Sequence, residues 1–440
     1  MSRQIGMIPL FNLSIHRRLL EKLEIVVTVI WLLYFMDVRV PPPISSSLVN
    51  ALSYPVTFFL VALHWKRIAY VATRNIPLMI FVGIAMFSVV WSTNVNSTLD
   101  ISRGLLRTFL FGAYFTTRYS LKEQMKILAL VFGMSAILSW GICIAIPSYG
   151  IGSNGWQGIF PYKNYMSRAM ILGAILFLII ALNKYQWRRS WLGWIGLGIA
   201  VPLAIFARSS TGLLLLFVLL LQMPLYGMVK QQYKLKVILL SFVCILVGTV
   251  AILIVANQET ILVDLLGEGT TFNGRIPIWT LIIEKVLDER FWWGYGYGAF
   301  WNSDAGVHVI LNTWASNTGI PSTFNAHSGY IEIFANLGFF GLISYGIVLI
   351  TVFFKVFILL FSTKKVEFFW VFQFLVFTCL ASLADVGMGL GSTSVYGILF
   401  IAVCLSSSVE YKRLMKKRYP KKILGINYSY SPRRYFFNVR

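Results

Sequence analysis

Three side chains in this sequence could hold an anion and move a proton: Arg208 in IFARSSTGLLLL, Arg275 in NGRIPIW and His327 in NAHSGYIEIFANLGFFGL. A guanidinium fork suits phosphate oxygens because it grips them at two points. An imidazole, ordinarily titrating near pH ~6.5, suits general-base work. Each residue also has a plainer reading. Arg208, between two apolar runs, either snorkels to lipid headgroups or contacts an anion together with Ser209, Ser210 and Thr211. Arg275 either pairs with Glu284 or a nearby carbonyl, or offers its fork to phosphate. His327, beside Asn325 and Ser328, is either a hydrogen-bonded boundary residue or a base. Glu332 lies near the helix that His327 opens and could orient the ring, although five residues is a poor helical spacing for that.

Other residues divide in the same way. Lys163 and Asn164, in GIFPYKNYMSRAM, are a helix cap with a snorkelling anchor, or a contact to phosphate or sugar. Arg103 and Arg107, in ISRGLLRTF, share one helix face and repel each other unless an anion lies between them. The alternative is an interface anchor plus one structural pair. The GYGYGAFW cluster has the glycines of a nucleotide loop but lacks the βαβ unit that gives such a loop meaning. It reads as a tight bend near substrate, with Trp292, Trp293, Tyr295, Tyr297 and Trp301 offering faces on which sugars stack. Asp288 and Glu289 are adjacent, so they are not an evident pair of spaced carboxylates. The pattern of His and carboxylates suggests no metal, and no cofactor is expected. Cys143, Cys244, Cys379 and Cys404 all fall in apolar runs and read as packing residues.

The elements that position these groups are membrane helices. Of 440 residues, 58% are hydrophobic and 12% charged, and the mean hydropathy is +0.74. A soluble domain carries about 25% charged residues, so the chain reads as an all-α polytopic membrane protein. The net charge of +22 sits in short loops and the C-terminal tail, which argues against nucleic acid as a partner and for membrane lipids. Apolar periodicity predicts about twelve transmembrane helices, at 19–37, 46–65, 76–92, 99–117, 127–147, 164–182, 191–207, 210–228, 237–257, 338–361, 367–385 and 393–409. A short helix over 328–337 leads into the tenth. The first run follows His16, Arg17 and Arg18 without a small-residue cleavage site, and so reads as a retained anchor. Four regions result: an N-terminal bundle of about nine helices (1–257), a loop carrying the motifs (258–337), C-terminal transmembrane helices (338–409) and a basic tail (410–440).

Loop charge predicts orientation. Lys66, Arg67 and Arg74 share one loop; Arg118, Lys122 and Lys126 follow two spans later, then Lys184, Arg188 and Arg189, then Lys230, Lys234 and Lys236, then Lys364 and Lys365. By the positive-inside rule both termini are cytoplasmic and the stretch 258–327 faces outward.

GIFPYKN, RSSTGLLLL, GRIPIW, GYGYGAFW and AHSGYIEIFANLGFFGL stand in an order that resembles the O-antigen ligase superfamily, which takes in O-antigen ligases, O-antigen polymerases and exopolysaccharide polymerases. The match runs from about Leu99 to Gly346; the KN and GYGYGAFW elements look most like the exopolysaccharide-polymerase branch. The resemblance implies a GT-C-like, metal-independent, inverting glycosyltransferase of the bacterial inner membrane with a periplasmic active site. Its donor would be a glycan on undecaprenyl pyrophosphate, its acceptor a glycan or a lipid-linked glycan. Arg208 and Arg275 would hold the pyrophosphate, and His327 would take the acceptor's proton. Flippase and chain-length regulator proteins would be its partners. Ser328 stands where many relatives have Asn, which puts the acceptor contact in doubt. Polymerisation of repeat units is the first expectation, transfer to lipid A core or to a protein the second. A lipid-linked oligosaccharide flippase is the third, disfavoured by the lack of a repeat and the long outward loop.

Overall fold

The computed structural model describes residues 10–39, 45–184, 187–229, 274–318, 324–386 and 394–418. The described chain is almost wholly helical. In order it runs through α1 (Leu10–Phe35), α2 (Ser46–Ala72), α3 (Ile76–Phe87), α4 (Val95–Arg118), α5 (Leu121–Ala145) and the single turn α6 (Pro147–Gly150). A two-stranded antiparallel hairpin follows, β1 (Ile151–Gly152) with β2 (Gly155–Trp156). Then come α7 (Lys163–Leu182), α8 (Trp191–Phe206), α9 (Ser210–Leu221), α10 (Met223–Val229), α11 (Arg275–Glu289), α12 (Asp304–Leu311), α13 (Gly329–Thr363), α14 (Val366–Ala384) and α15 (Val395–Arg418).

Among the described residues, six helices are long and apolar enough to cross a membrane: α2, α5, α7, α13, α14 and α15. The expected count of about twelve is not reached there. α1 carries Glu21, Lys22 and Glu24, and α4 carries Asp100, Arg103 and Arg107, so neither is a simple apolar span. The helix α8 and the run Ser210–Leu225 are short apolar stretches, and the expected span 237–257 lies outside the described residues.

Local signals set the helix ends. Asn75, Asn94 and Ser209 each accept a backbone N–H from the first turn they precede. Ser120 and Glu123 form a reciprocal capping box on α5. α7, α14 and α15 are the most buried of the six spans and form the centre of the bundle. Close approach of α4 to α15 depends on Gly112, where a methyl group would meet the Ile401 side chain at 2.8 Å.

The helices alternate in direction, which sorts the loops to two ends. At one end the loop before α5, the start of α14 and the end of α15 bring Lys122, Lys365 and Arg413 around one cleft. At the other end lie the starts of α7, α9, α11 and α13 and the end of α14.

α13 is two helices joined by a break. Gly338 has φ 63° and ψ −158°, outside helical space, at the residue where the predicted tenth span begins. The segment 291–298 fills the break. Phe339 and Phe340 donate their N–H groups to Phe291 O (2.8 Å) and Trp292 O (3.2 Å), while Tyr295 and Gly296 donate to Ala335 O (3.1 Å) and Asn336 O (2.8 Å). Gly294 and Gly338 cross backbone to backbone: a methyl on either would lie 2.6 Å from main-chain atoms of the other's segment. Both have positive φ, which glycine adopts without steric cost. The GYGYG run therefore bends against the interrupted helix.

Candidate functional site

The first turn of α11 and the residues entering α13 are locked face to face. Gly274, in the left-handed region, starts α11 at Arg275, and its carbonyl accepts the indole N–H of Trp314 at 3.0 Å. One turn beyond Arg275, Trp279 donates its indole N–H to Ala326 O at 2.7 Å. The N–H of Ala326 donates to Glu332 Oε2 at 2.9 Å. Ala326 is thus held on both sides of its backbone, and the next residue is His327.

His327 has φ 50°, a conformation that costs a non-glycine residue roughly 1–3 kcal/mol and clusters at functional sites. Its N–H donates to Asn325 Oδ1 at 2.9 Å, closing a turn. The ring lies nearly parallel to Trp314 (centroids 6.4 Å apart) and edge-on to Phe324 (5.9 Å). Burial holds its pKa below the ordinary value; the positive charge of Arg275 pushes the same way, and Asp385 opposes. The imidazole is therefore biased toward its neutral form, with a guanidinium and a carboxylate close enough to be felt.

Glu332 is not beside the ring. Its carboxylate accepts from Trp301 Nε1 (3.0 and 3.1 Å), Asn336 Nδ2 (3.0 Å) and the Ala326 N–H. The expectation that it orients the imidazole is corrected accordingly: on the opening turn of α13, its side chain reaches the backbone before His327. Beside it, a cavity of about 140 Å³ is lined by Trp301, Glu332, Asn336 and Ser382, and by Phe324 and Gly329, which flank His327.

A second group of cations stands on the neighbouring elements. Arg208 is exposed in the turn between α8 and α9, with φ 48°. Its carbonyl accepts Lys163 Nζ at 3.1 Å, and Lys163 also donates to Asn154 O at 3.1 Å. Asn164 is exposed beside it. Ser209 uses its hydroxyl to accept Gly212 N–H at 3.3 Å, so it serves first as the cap of α9. α9 rests on α7 where Gly212 meets Ser167.

The next residue, Arg168, is buried, stacks on the Tyr165 ring at 4.7 Å and is ion-paired with Asp385. Its Nε donates to Asn164 O at 3.1 Å. Five helical residues, a rise of about 7.5 Å, separate Lys163 from Arg168. The first two turns of α7 therefore connect the Arg208 turn to Asp385, and Asp385 to the field at His327. Sequence reasoning missed Arg168 and Asp385. The available signal was an arginine one turn inside an apolar helix, where an ionisable residue is expensive and needs a partner.

The remaining expectations fare differently. Arg107 is 5% exposed and donates to Asn50 Oδ1 and Ser53 Oγ, both at 2.5 Å, clasping α2 to α4. Its guanidinium lies over the rings of Tyr54 (4.5 Å) and Phe35 (5.3 Å). Arg103 points to solvent and pairs with Asp100 at 3.1 Å. One turn apart, Arg103 and Arg107 thus take their partners from different surroundings. Tyr295 and Tyr297 are buried; the Tyr295 hydroxyl donates to Glu289 Oε2 at 2.5 Å, and the Tyr297 N–H donates to Ser88 Oγ at 2.9 Å. Trp301 is also buried, and it lines the cavity beside Glu332 together with Tyr297. Trp293 does keep an exposed face. It packs on Trp91 and Phe340, with centroids 4.9 and 4.8 Å away, and its carbonyl accepts Trp91 Nε1 at 2.9 Å.

One end of the bundle thus gathers an imidazole of lowered pKa, a guanidinium whose charge it feels, and a second set of cations one helix away. Such a set can receive a proton from a hydroxyl and stabilise negative charge on a departing oxyanion. Comparison with known families agrees with the resemblance read from the motifs: residues 197–346 match the model of the family described as O-Antigen ligase. No curated protein matches the chain. The matched region runs from α8 into α13 and contains Arg208, Arg275 and His327.

Proposed function

We propose that this protein is a metal-independent, inverting membrane glycosyltransferase that polymerises oligosaccharide repeat units carried on undecaprenyl pyrophosphate, at the outward face of the inner membrane. The reading is carried by one observation: a partly buried imidazole whose pKa is lowered by burial and by the charge of Arg275, both within the segment that matches the O-Antigen ligase family. His327 takes the proton of an acceptor hydroxyl as its oxygen attacks the anomeric carbon. The bond from that carbon to the pyrophosphate oxygen breaks, the configuration inverts, and the lipid pyrophosphate leaves with the bonding electrons. Arg275 and Arg208 stabilise the charge that gathers on it, which is the work a divalent cation does elsewhere. Lys163 and Asn164 extend the phosphate side. The exposed face of Trp293 offers a stacking surface for a sugar.

The family description itself favours a second reading, transfer of a finished glycan to lipid A core or to a protein. The donor and the residues at its leaving group are common to both. Deletion of the gene, followed by analysis of lipid-linked glycans, separates them. Accumulated single repeat units support polymerisation. Accumulated long chains on the carrier support ligation and overturn the first reading, and an unchanged glycan profile removes both.

A further inference from the structure

The end of the bundle away from His327 holds a cleft that the proposed reaction does not use. An opening of about 540 Å³ is lined by Lys122, Lys126, Trp187, Arg188 and Arg189: four cations and one indole, with no acid among the described residues. Glu123, between the two lysines in sequence, is committed to the capping box, where its Oε2 accepts the Ser120 N–H and hydroxyl at 2.8 Å each. Lys122 and Lys126 are one turn apart on α5, a like-charge spacing that destabilises a helix unless an anion screens it. Arg188 and Arg189 face them from the turn between α7 and α8.

Trp187 supplies an independent observation. It is 9% exposed, its indole Nε1 is buried without an acceptor among the described residues, and Lys122 Nζ lies over its ring at 5.7 Å. A buried N–H that has lost water and gained no acceptor is costly. The residue that carries it lines a cleft of positive charge.

The surroundings indicate what kind of anion fits. Directly past Arg189, α8 begins with Trp191, Leu192, Trp194 and Ile195, which are 44–57% exposed. A cationic cleft bordered by an exposed aromatic and aliphatic face matches a molecule with a charged head and apolar tails. A free inorganic anion would use the cleft alone, whereas a lipid uses the cleft and the neighbouring face together.

We propose that this cleft seats the phosphate of an anionic phospholipid, with Trp187 donating its indole N–H to a phosphate oxygen. Lys122, Lys126, Arg188 and Arg189 neutralise the headgroup, and the acyl chains lie along the exposed face of α8. The site is independent of glycan transfer and rests on different residues.

The test is native mass spectrometry of the full chain purified in a zwitterionic detergent and titrated with phosphatidylglycerol, phosphatidylcholine or inorganic phosphate. The wild type is expected to retain phosphatidylglycerol and not phosphatidylcholine. Each charge near a membrane surface is worth about fivefold in binding, so Lys126→Gln with Arg188→Gln and Arg189→Gln is expected to lower retention at least tenfold. Trp187→Phe keeps the ring and removes the N–H, and is expected to lower it severalfold at an unchanged melting temperature. Lys364→Gln with Lys365→Gln, at the same end but outside the cleft, serves as the control. Equal loss in that control overturns the proposal, as does unaltered retention in the cleft variants. Stabilisation by inorganic phosphate as strong as by the lipid assigns the cleft to a free anion and overturns the lipid reading.

Discussion

The two ends of the bundle are both rich in cations, yet they hold them in opposite ways. Around Lys126 and Arg188 the positive groups line an open cleft with no acid in it among the described residues. Around His327 most of the charges are tied down. Arg168 is paired with Asp385, Lys163 is spent on two carbonyls, and Arg208 and His327 occupy left-handed backbone. Of the described non-glycine residues with positive φ, two are in this group; the others are Asp37 and Lys364, which follow helices α1 and α13. The contrast separates two uses of positive charge. A headgroup tolerates cations that adapt to it, whereas a reacting centre gains most from groups whose positions are set before the substrate arrives.

Substitutions at the restrained end are expected to have the largest effects. His327→Ala should lower glycan transfer by roughly 100- to 10,000-fold, the usual worth of a general base, and Arg275→Ala by roughly 100- to 1,000-fold. Transfer in membranes or detergent, with folding checked by size-exclusion chromatography, measures both. Full activity in either variant removes that residue from the reaction and erases the distinction between the ends.

The scaffold should come next. Gly338→Ala and Gly294→Ala place a methyl 2.6 Å from main-chain atoms at positions with positive φ, and strain of about 1–3 kcal/mol accompanies such a conformation. Both should lower the melting temperature and transfer together. Gly346→Ala, also on α13 but with nothing within 4 Å of the added methyl, should leave both unchanged. A harmless Gly338→Ala would mean that the break in the helix is dispensable.

A pH profile sharpens the comparison further. His327 must be neutral to accept a proton, and burial and Arg275 lower its pKa while Asp385 raises it. The acid limb of the transfer rate should therefore fall below the ordinary histidine range. Asp385→Asn removes the opposing contribution, so the limb should move to lower pH still. Movement to higher pH would overturn that assignment, because loss of the carboxylate and release of the Arg168 charge it pairs with both disfavour the imidazolium. The smallest effects belong to the other end and to metal removal. Lys364→Gln and Lys365→Gln should change transfer less than twofold, and a chelator should change nothing; strict dependence on a divalent ion would contradict the mechanism.

Residue types announced much of this site, but their partners did not announce themselves. Arg275 and His327 could be singled out because a guanidinium and an imidazole stood out among apolar runs. That Trp279 and Trp314 lock them together depends on contacts 47 and 40 residues apart, which no local pattern encodes. Glu332 was conspicuous as a carboxylate near His327, yet its target was the Ala326 backbone. The glycines of 294–298 signalled a bend, while the reason for it, a break in α13, lay some forty residues away. Arg107 stood out as a cation in an apolar helix, but its partners Asn50 and Ser53 lie on another helix and were not legible from its own. Arg168 and Asp385 escaped notice because each is ordinary in sequence and informative only as a pair.

The lacing of 291–298 into α13 has a consequence for how this end of the molecule opens. Phe339 and Phe340 draw their hydrogen bonds from Phe291 and Trp292 instead of from their own helix, so the segment cannot lift away without stripping those amides. Hydrogen exchange at 291–298 and at 335–340 should accordingly proceed as one cooperative unit. Any disturbance felt by Trp293 would reach the turn that follows Glu332 through main-chain bonds, without passing through a side chain.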